Sequence, residues 1–129
     1  MILFFDRNLG TAIPRALREL LKPPGFQVEI HQDHFDQLAH DDIWLQQVGQ
    51  WGWFVITQDY SYHERATELA AIRTHNVGAF YLWGSEARRW ESFRAFAAGY
   101  DRLVRATEIT ERPFIFRIER HGGLTAIHF

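Results

Sequence analysis

Two aspartates in this chain each follow an apolar run that is too short to be a helix. Asp6 follows Ile2-Leu3-Phe4-Phe5, and Asp59 follows Trp53-Phe54-Val55-Ile56-Thr57-Gln58. Runs of this length predict buried strands, and open parallel sheets bind their ligands beyond the carboxyl ends of the strands. Asp41 and Asp42 lie between the two runs in the sequence. Together these acids predict a carboxylate cluster that holds a divalent cation.

Repulsion between carboxylates is the physical reason to expect a cation. Two such groups about 4 Å apart repel by roughly 4 kcal/mol at an effective dielectric constant near 20. A fold that gathers them therefore needs a cation or a raised pKa, and hard oxygen ligands suit Mg²⁺ or Mn²⁺. An aspartate at one strand end is equally well explained as a turn or cap residue. Two of them at equivalent strand ends favour a site.

The other candidate residues are less specific. Asp41 and Asp42 stand where a helix is predicted to begin, so either is also explained as its N-cap. Asn8 and Thr57 flank the strand-end acids and could orient a carboxylate or a metal-bound water. Glu68 falls within the next predicted helix, where a glutamate is more often a solvated surface residue.

Three histidines, His31, His34 and His40, share one polar segment with two aspartates. A transition-metal site there is conceivable from the residue types. Their spacing matches no metal motif, however, and favours a polar surface loop.

The elements that position these residues alternate between strands and helices. Strands are predicted at 2–5, 26–30, 53–58 and 77–83, with a C-terminal hairpin from 113–119 and 124–129. Helices are predicted from Gly10-Thr11 to a stop at Pro23-Pro24-Gly25, from Asp41 to about 49–52, over 65–75, and from Ser85 onward. The order β-α-β-α-β-α-β-α-β-β predicts an α/β fold. Its mostly parallel central sheet is flanked by helices, with the hairpin at one edge.

Hydrophobic spacing predicts which side chains face the core. In the first helix they are Ile13, Leu17, Leu20 and Leu21, and in the polar loop Phe35 and Leu38 are expected to turn inward. In the long last helix one face is predicted to carry Trp90, Phe93, Ala97, Tyr100 and Val104.

Composition limits the class of protein. The 129 residues fit one domain spanning 1–129, and 47% apolar residues are enough for a core. A net charge of −2 does not indicate general nucleic-acid binding, so any basic surface must be local. The chain has no cysteine, which excludes thiolate chemistry. It has no apolar run of membrane-spanning length and its start lacks the features of a signal peptide, so we expect a cytoplasmic protein.

Taken in order, the acidic motifs resemble those of the PIN-like nuclease domains, and most closely the compact branch associated with VapC-type toxins. They are Phe5-Asp6-Arg7-Asn8-Leu9-Gly10, then Asp41-Asp42-Ile43-Trp44-Leu45, then Thr57-Gln58-Asp59. A glutamate on the following helix often completes the pattern, and Glu68 matches it. The resemblance covers roughly residues 2–83.

The resemblance implies a three-layer α/β/α fold and a metal-dependent ribonuclease. By this resemblance Asp6, Asp41 and Asp59 would be catalytic and would bind Mg²⁺ or Mn²⁺. Asp42 would be the neighbour and possible substitute of Asp41, and Glu68 the supporting acid.

The same resemblance implies a set of partners. They are an RNA substrate held through Arg7 and Arg65, an antitoxin protein that makes this chain the toxin of a toxin–antitoxin pair, and a second copy of the chain. Many relatives carry Lys or Arg beside the last aspartate, where this chain has Gln58, Tyr60 and Ser61. This departure weakens the expected contact with substrate phosphate.

Two alternatives come from other classes. The first is a non-catalytic interaction module with a degenerate metal site, whose surface could include Trp90 and Phe93, although core positions are favoured for those rings. The second is a phosphotransfer domain. Asp6-Arg7-Asn8 loosely resembles the opening motif of haloacid-dehalogenase-type phosphatases but lacks its second acid. A receiver domain would need a late lysine, and the single lysine is Lys22.

Overall fold

The structure, a computed structural model, describes residues 1–22 and 25–129. The strands are β1 (Ile2–Phe5), β2 (Gln27–Ile30), β3 (Phe54–Thr57), β4 (Gly78–Leu82), β5 (Phe114–Ile118) and β6 (Leu124–Ala126). The helices are α1 (Ala12–Leu20), α2 (Asp41–Trp51), α3 (Ala66–Thr74) and α4 (Arg89–Ile109). The predicted order of elements is confirmed. The predicted helix stop at Pro23-Pro24 lies outside the described residues.

The six strands form one sheet in the order β2-β1-β3-β4-β5-β6. The first five are parallel, and β6 pairs antiparallel with β5, so the predicted α/β class with its C-terminal hairpin is confirmed. From β1 the chain runs outward to β2 and then returns to β3 on the other side of β1. A reversal of this kind opens a crevice at the carboxyl edge of the sheet. In the register of β1 and β3, Phe5 pairs with Ile56, which places Asp6 beside Thr57.

Helices cover both faces of the sheet, as an α/β/α fold requires. Alternation along β1 sends Leu3 and Phe5 to the face covered by α1 and α4, and Phe4 to the face covered by α2 and α3. Trp44 of α2 is completely buried against Phe4, with ring centroids 5.4 Å apart. No helix in the described ranges is long and apolar enough to cross a membrane.

The predicted core face of α4 is wrong by about one residue, and the helix begins at Arg89 instead of Ser85. Trp90 is 66% exposed, and Phe93, Tyr100 and Val104 are only partly buried at the margin of the core. Small residues explain the shift, because they let the helix axis approach the sheet closely and leave the larger rings at the sides. The residues that face inward are Ser92, Ala95, Phe96, Gly99, Leu103 and Ala106.

Two other predicted core residues are exposed. Leu20, at the end of α1, is 68% exposed, and Leu38 is 88% exposed. Leu38 turns outward because the Arg7 guanidinium binds the carbonyl oxygens on either side of it, those of Gln37 at 3.0 Å and Ala39 at 2.8 Å. The backbone of the loop therefore faces inward and the intervening side chain faces solvent.

The turn of the C-terminal hairpin rests on the backbone of α4. Gly122 has φ +90°, a conformation that favours glycine. A Cβ atom at this position would lie 2.4 Å from the carbonyl carbon of Ala98. The close approach fixes the hairpin against the helix.

Replacing Gly122 with Ala is therefore expected to destabilise the fold by about 2–4 kcal/mol, because it adds backbone strain to a steric clash that neither backbone can avoid. Urea denaturation measures the change in the free energy of unfolding. Gly123→Ala is the matched control, since a Cβ there meets nothing within 4 Å. Equal stability of the two variants would contradict this account of the hairpin.

Candidate functional site

Asp6 lies at the carboxyl end of β1 and is only 2% exposed. Its Oδ1 accepts a hydrogen bond from the backbone N–H of Arg7 at 2.7 Å. Its Oδ2 accepts from Asn8 Nδ2 at 3.1 Å, from Thr57 Oγ1 at 2.9 Å and from the hydroxyl of Tyr62. The carboxylate is thus oriented by donors from the turn that follows β1, from β3 and from the segment that follows β3.

Burial raises the pKa of Asp6 above the ordinary aspartate value. The hydrogen bonds from Tyr62 and Thr57 oppose this rise in pKa, and the nearby charge of Asp41 adds to it. Burial also raises the pKa of Tyr62 well above its usual value, with a further contribution from the charge of Asp6. The tyrosine therefore keeps its proton and acts as the donor.

The raised pKa makes stability depend on pH with a definite sign. Above the unfolded pKa of 3.8, the folded chain retains a proton that the unfolded chain loses. Stability from this group is therefore complete below pH 3.8 and is lost as pH rises through the folded pKa. For each unit by which folding raises the pKa of Asp6, about 1.4 kcal/mol of the free energy of unfolding is lost.

We expect the free energy of unfolding of Asp6→Asn, relative to the wild type, to increase as pH rises from about 4 to about 7 without metal. Urea titrations across this range measure the difference. Asp101→Asn, which removes a carboxylate at an exposed position of α4, is the control. A flat profile for Asp6→Asn would show that burial does not raise the pKa of this carboxyl group.

The guanidinium of Arg65 links three carboxylates from different parts of the chain. Arg65 Nη2 lies 2.6 Å from Asp59 Oδ2 and 3.7 Å from Asp41 Oδ2. Arg65 Nε lies 3.4 Å from Glu68 Oε1, yet this buried N–H makes no hydrogen bond within the described part of the chain. Glu68, expected on a solvated face, has only 13% of its side chain exposed. The segment after β3, the start of α2 and the start of α3 thus converge on one cationic group.

Arg7 binds the opposite side of Asp41 and holds the loop before α2. Its Nη2 donates to Asp41 Oδ1 at 3.0 Å, and its Nη1 lies 3.3 Å from Nε2 of His31. His31 is completely buried, and burial, with Arg7 nearby, lowers the pKa of its imidazole. The expectation of a plain polar loop is therefore wrong at His31, which packs against Phe4 and Trp44.

The adjacent acids Asp41 and Asp42 differ in their side-chain partners. Asp41 accepts from Trp44 Nε1 at 3.0 Å as well as from Arg7, so its side chain belongs to the cluster. Both acids line a cavity of about 610 Å³ between the 37–40 loop, α2 and α3, together with Arg7 and Glu68. Among the described residues, Asp41 pairs with Arg7 and Arg65, whereas Asp42 pairs with no arginine.

The chain matches a known family over residues 1–84, which is well over half of its length, and that family is described as a PIN-like domain. The chain belongs to the PIN-like domain family. No curated protein and no solved structure matches it. The match covers every acid of the cluster, whereas α4 and the hairpin lie beyond it.

In this PIN-like domain Asp41, Asp59 and Glu68 are paired with the chain's own arginines. Within residues 1–22 and 25–129, no three histidine, aspartate or glutamate side chains converge closely enough to hold a metal ion between them. Arg7 and Arg65, predicted to contact RNA, have their guanidinium groups on protein acceptors. The arrangement is a set of hard oxygen ligands gathered around a guanidinium.

A side-chain network connects Asp6 to the backbone beside Asp59. Thr57 Oγ1, which donates to Asp6, accepts from the Asp59 N–H at 3.0 Å and from Asn8 Nδ2 at 3.0 Å. Asn8 Oδ1 in turn accepts from the backbone N–H of Gln58 at 3.0 Å. The two predicted supporting residues therefore set the relative position of the strand-end acids of the PIN-like domain.

Sequence reasoning did not identify Tyr62 as part of this site. Tyr62 is completely buried, and its hydroxyl donates to Asp6. The available signal was its position three residues after Asp59, where an aromatic ring can fold back over the end of β3. The hydroxyl of a buried tyrosine needs a hydrogen-bond partner, and a neighbouring carboxylate supplies one.

Proposed function

We propose that this PIN-like domain is a metal-dependent ribonuclease that hydrolyses phosphodiester bonds with Mg²⁺ or Mn²⁺ on Asp6, Asp41 and Asp59. The observation that carries the proposal is the position of the Arg65 guanidinium, because it marks where carboxylates from separate elements already surround a positive charge. Oxygen-only ligands are those that Mg²⁺ and Mn²⁺ prefer. The donor set therefore fits a hard cation once the arginine is displaced.

The residues have separable roles in this proposal. Asp59 and Asp41, partly exposed at 27% and 20% of their side chains, would hold the ion with Glu68 in support. Asp6, buried behind them, would be the ligand whose orientation Thr57 and Tyr62 fix. When bound, such an ion polarises a phosphoryl oxygen and lowers the pKa of an attacking water.

A cleavage assay tests the proposal directly. Unstructured RNA and transfer RNA are incubated with the purified chain in Mg²⁺, in Mn²⁺ or in a chelator, and products are separated on a denaturing gel. We expect cleavage with either ion and none with the chelator. Equal cleavage in the chelator, or none under any condition, would contradict the proposal.

We further propose that the chain acts in the cytoplasm as the toxin of a toxin–antitoxin pair. The partner surface would be an apolar groove between α1 and α4 of about 560 Å³, in which the large apolar side chains of Leu20 and Trp90 are exposed. A groove of this kind accepts an amphipathic helix, from an antitoxin or from a second copy of the chain. Growth arrest on expression, absent for Asp6→Asn, supports toxicity; unimpaired growth contradicts it.

One observation favours a second candidate, a non-catalytic interaction module with a degenerate metal site. Asp41 and Asp59 already have cationic partners in Arg7 and Arg65, so no metal ion is needed to offset the repulsion between these two acids. Melting temperature during a Mn²⁺ titration separates the candidates, because an ion that binds only the folded state must raise it. No rise would favour the module.

A further inference from the structure

Arg7 and Arg65, the arginines closest to the acids, have their guanidinium groups on protein acceptors in this structure. Other arginines are therefore better candidates for a further contact with RNA phosphate. A small cavity lies one strand away, between the start of α4 and the hairpin. It measures about 190 Å³ and is lined by Trp83, Glu91, Arg94, Ala98, Arg120 and His121.

Two arginines dominate the charge of this cavity. The Arg120 guanidinium lies over the ring of Trp83, 5.3 Å from its centroid, which is cation–π geometry that holds the group at the cavity wall. In the described part of the chain, neither Arg94 nor Arg120 pairs with a carboxylate, unlike Arg7 and Arg65. Glu91 is the one acid of the lining, so the cavity is net positive.

The cavity is connected to the residue next to Asp59. The side-chain amide of Gln58 donates to the carbonyl of Trp83 at 3.4 Å and to the hydroxyl of Ser92 at 3.1 Å. Tyr60 lies on the other side of Asp59, and its hydroxyl donates to the carbonyl of Leu82 at 2.6 Å. These bonds join the acidic edge of β3 to the end of β4, which forms one wall of the cavity.

We propose that this cavity binds a backbone phosphate of single-stranded RNA between Arg94 and Arg120, next to the site of cleavage. Its volume is below the roughly 300–1,000 Å³ of pockets that enclose whole small molecules, so it suits one phosphate and its sugar within a longer chain. Arginine is the side chain best matched to phosphate. Trp83 is a positioning residue that holds Arg120. The inference rests on the proposed ribonuclease function for the class of ligand.

The test is fluorescence anisotropy with a short, labelled, unstructured RNA oligonucleotide in a chelator, so that binding is measured without cleavage. Arg94→Ala and Arg120→Ala are each expected to weaken binding about tenfold or more. Each should also reduce the slope of log affinity against log salt concentration by about 0.7, the value for one phosphate contact on a single strand. Trp83→Leu should lower the affinity and the salt slope as well, but by less than either arginine variant.

Arg105→Ala is the matched control. Arg105 is an exposed arginine on nearly the same side of α4 as Arg94 and about 16 Å further along the helix. Unchanged affinity and slope in both cavity variants, or equal effects in all three, would overturn the inference. Competition by an acidic peptide as strong as that by unlabelled RNA would also overturn it, since the cavity would then recognise negative charge on protein.

The cleavage assay distinguishes the two possible failures. If the wild type cleaves RNA with metal and the cavity variants bind RNA normally, the phosphate site is rejected and the ribonuclease function is retained. No cleavage, together with the expected loss of slope, would reject the ribonuclease and retain an RNA-binding cavity.

Discussion

Asp6→Asn is expected to lower the rate of metal-dependent RNA cleavage by at least about 10³-fold, which corresponds to about 4 kcal/mol of transition-state stabilisation. The amide keeps the shape of the side chain and loses the negative charge that a cation requires. Because Asp6 is 2% exposed, the charge is also costly to the folded chain without metal. The variant should therefore unfold at the same temperature as the wild type or slightly higher.

The pair of measurements is more informative than either alone. Single-turnover cleavage with Mn²⁺ gives the rate, and thermal unfolding in a chelator gives the stability. Asp101→Asn, at an exposed position of α4, should cleave at the wild-type rate. Wild-type cleavage by Asp6→Asn would remove Asp6 from the site, whereas loss of cleavage with a large fall in melting temperature would point to misfolding.

Arg65→Ala is expected to increase the affinity for Mn²⁺ by about 10–100-fold while lowering the melting temperature in a chelator. The guanidinium lies among Asp59, Asp41 and Glu68, so under the proposal a cation would compete with it for these carboxylates. Its side chain is 40% exposed, so each of its ion pairs is worth only about 1 kcal/mol or less. Its buried Nε makes no hydrogen bond, and this unsatisfied donor destabilises the fold by about as much as one ion pair stabilises it. The arginine is thus a partner that a divalent ion can displace.

Isothermal titration calorimetry with Mn²⁺ measures this change. Arg18→Ala is the matched control, because Arg18 also faces two carboxylates, Glu29 at 3.9 Å and Asp33 at 3.8 Å, away from the cluster. It should leave Mn²⁺ affinity unchanged. If Arg65→Ala binds Mn²⁺ no better than the wild type, the cation does not occupy the place of the guanidinium.

The order of elements was predictable because apolar runs, glycines and prolines fix it locally. Contact between Asp6 and the segment after β3 also followed from the carboxyl-end rule for parallel strands. The match with the PIN-like domain family supports the fold that these motifs implied. None of these signals depends on which rotamer a side chain adopts.

What could not be predicted depends on choices between similar three-dimensional arrangements. The spacing of α4 allowed two neighbouring core faces, and close packing against Gly122 of the hairpin selected the one with small residues. The pairing of Arg65 with acids from three segments required knowing where the segments meet. A single sequence gives the charges of such groups but not their partners.

The boundary of the family match separates the proposed metal site from the proposed phosphate-binding cavity. The acids lie within residues 1–84, whereas Arg94 of α4 and Arg120 of the hairpin lie beyond. Under the two proposals, substitutions in the later part would change how tightly RNA is held and leave the proposed metal ligands unchanged. Exchanging the C-terminal part between homologous chains would then transfer RNA affinity without transferring the cleavage chemistry.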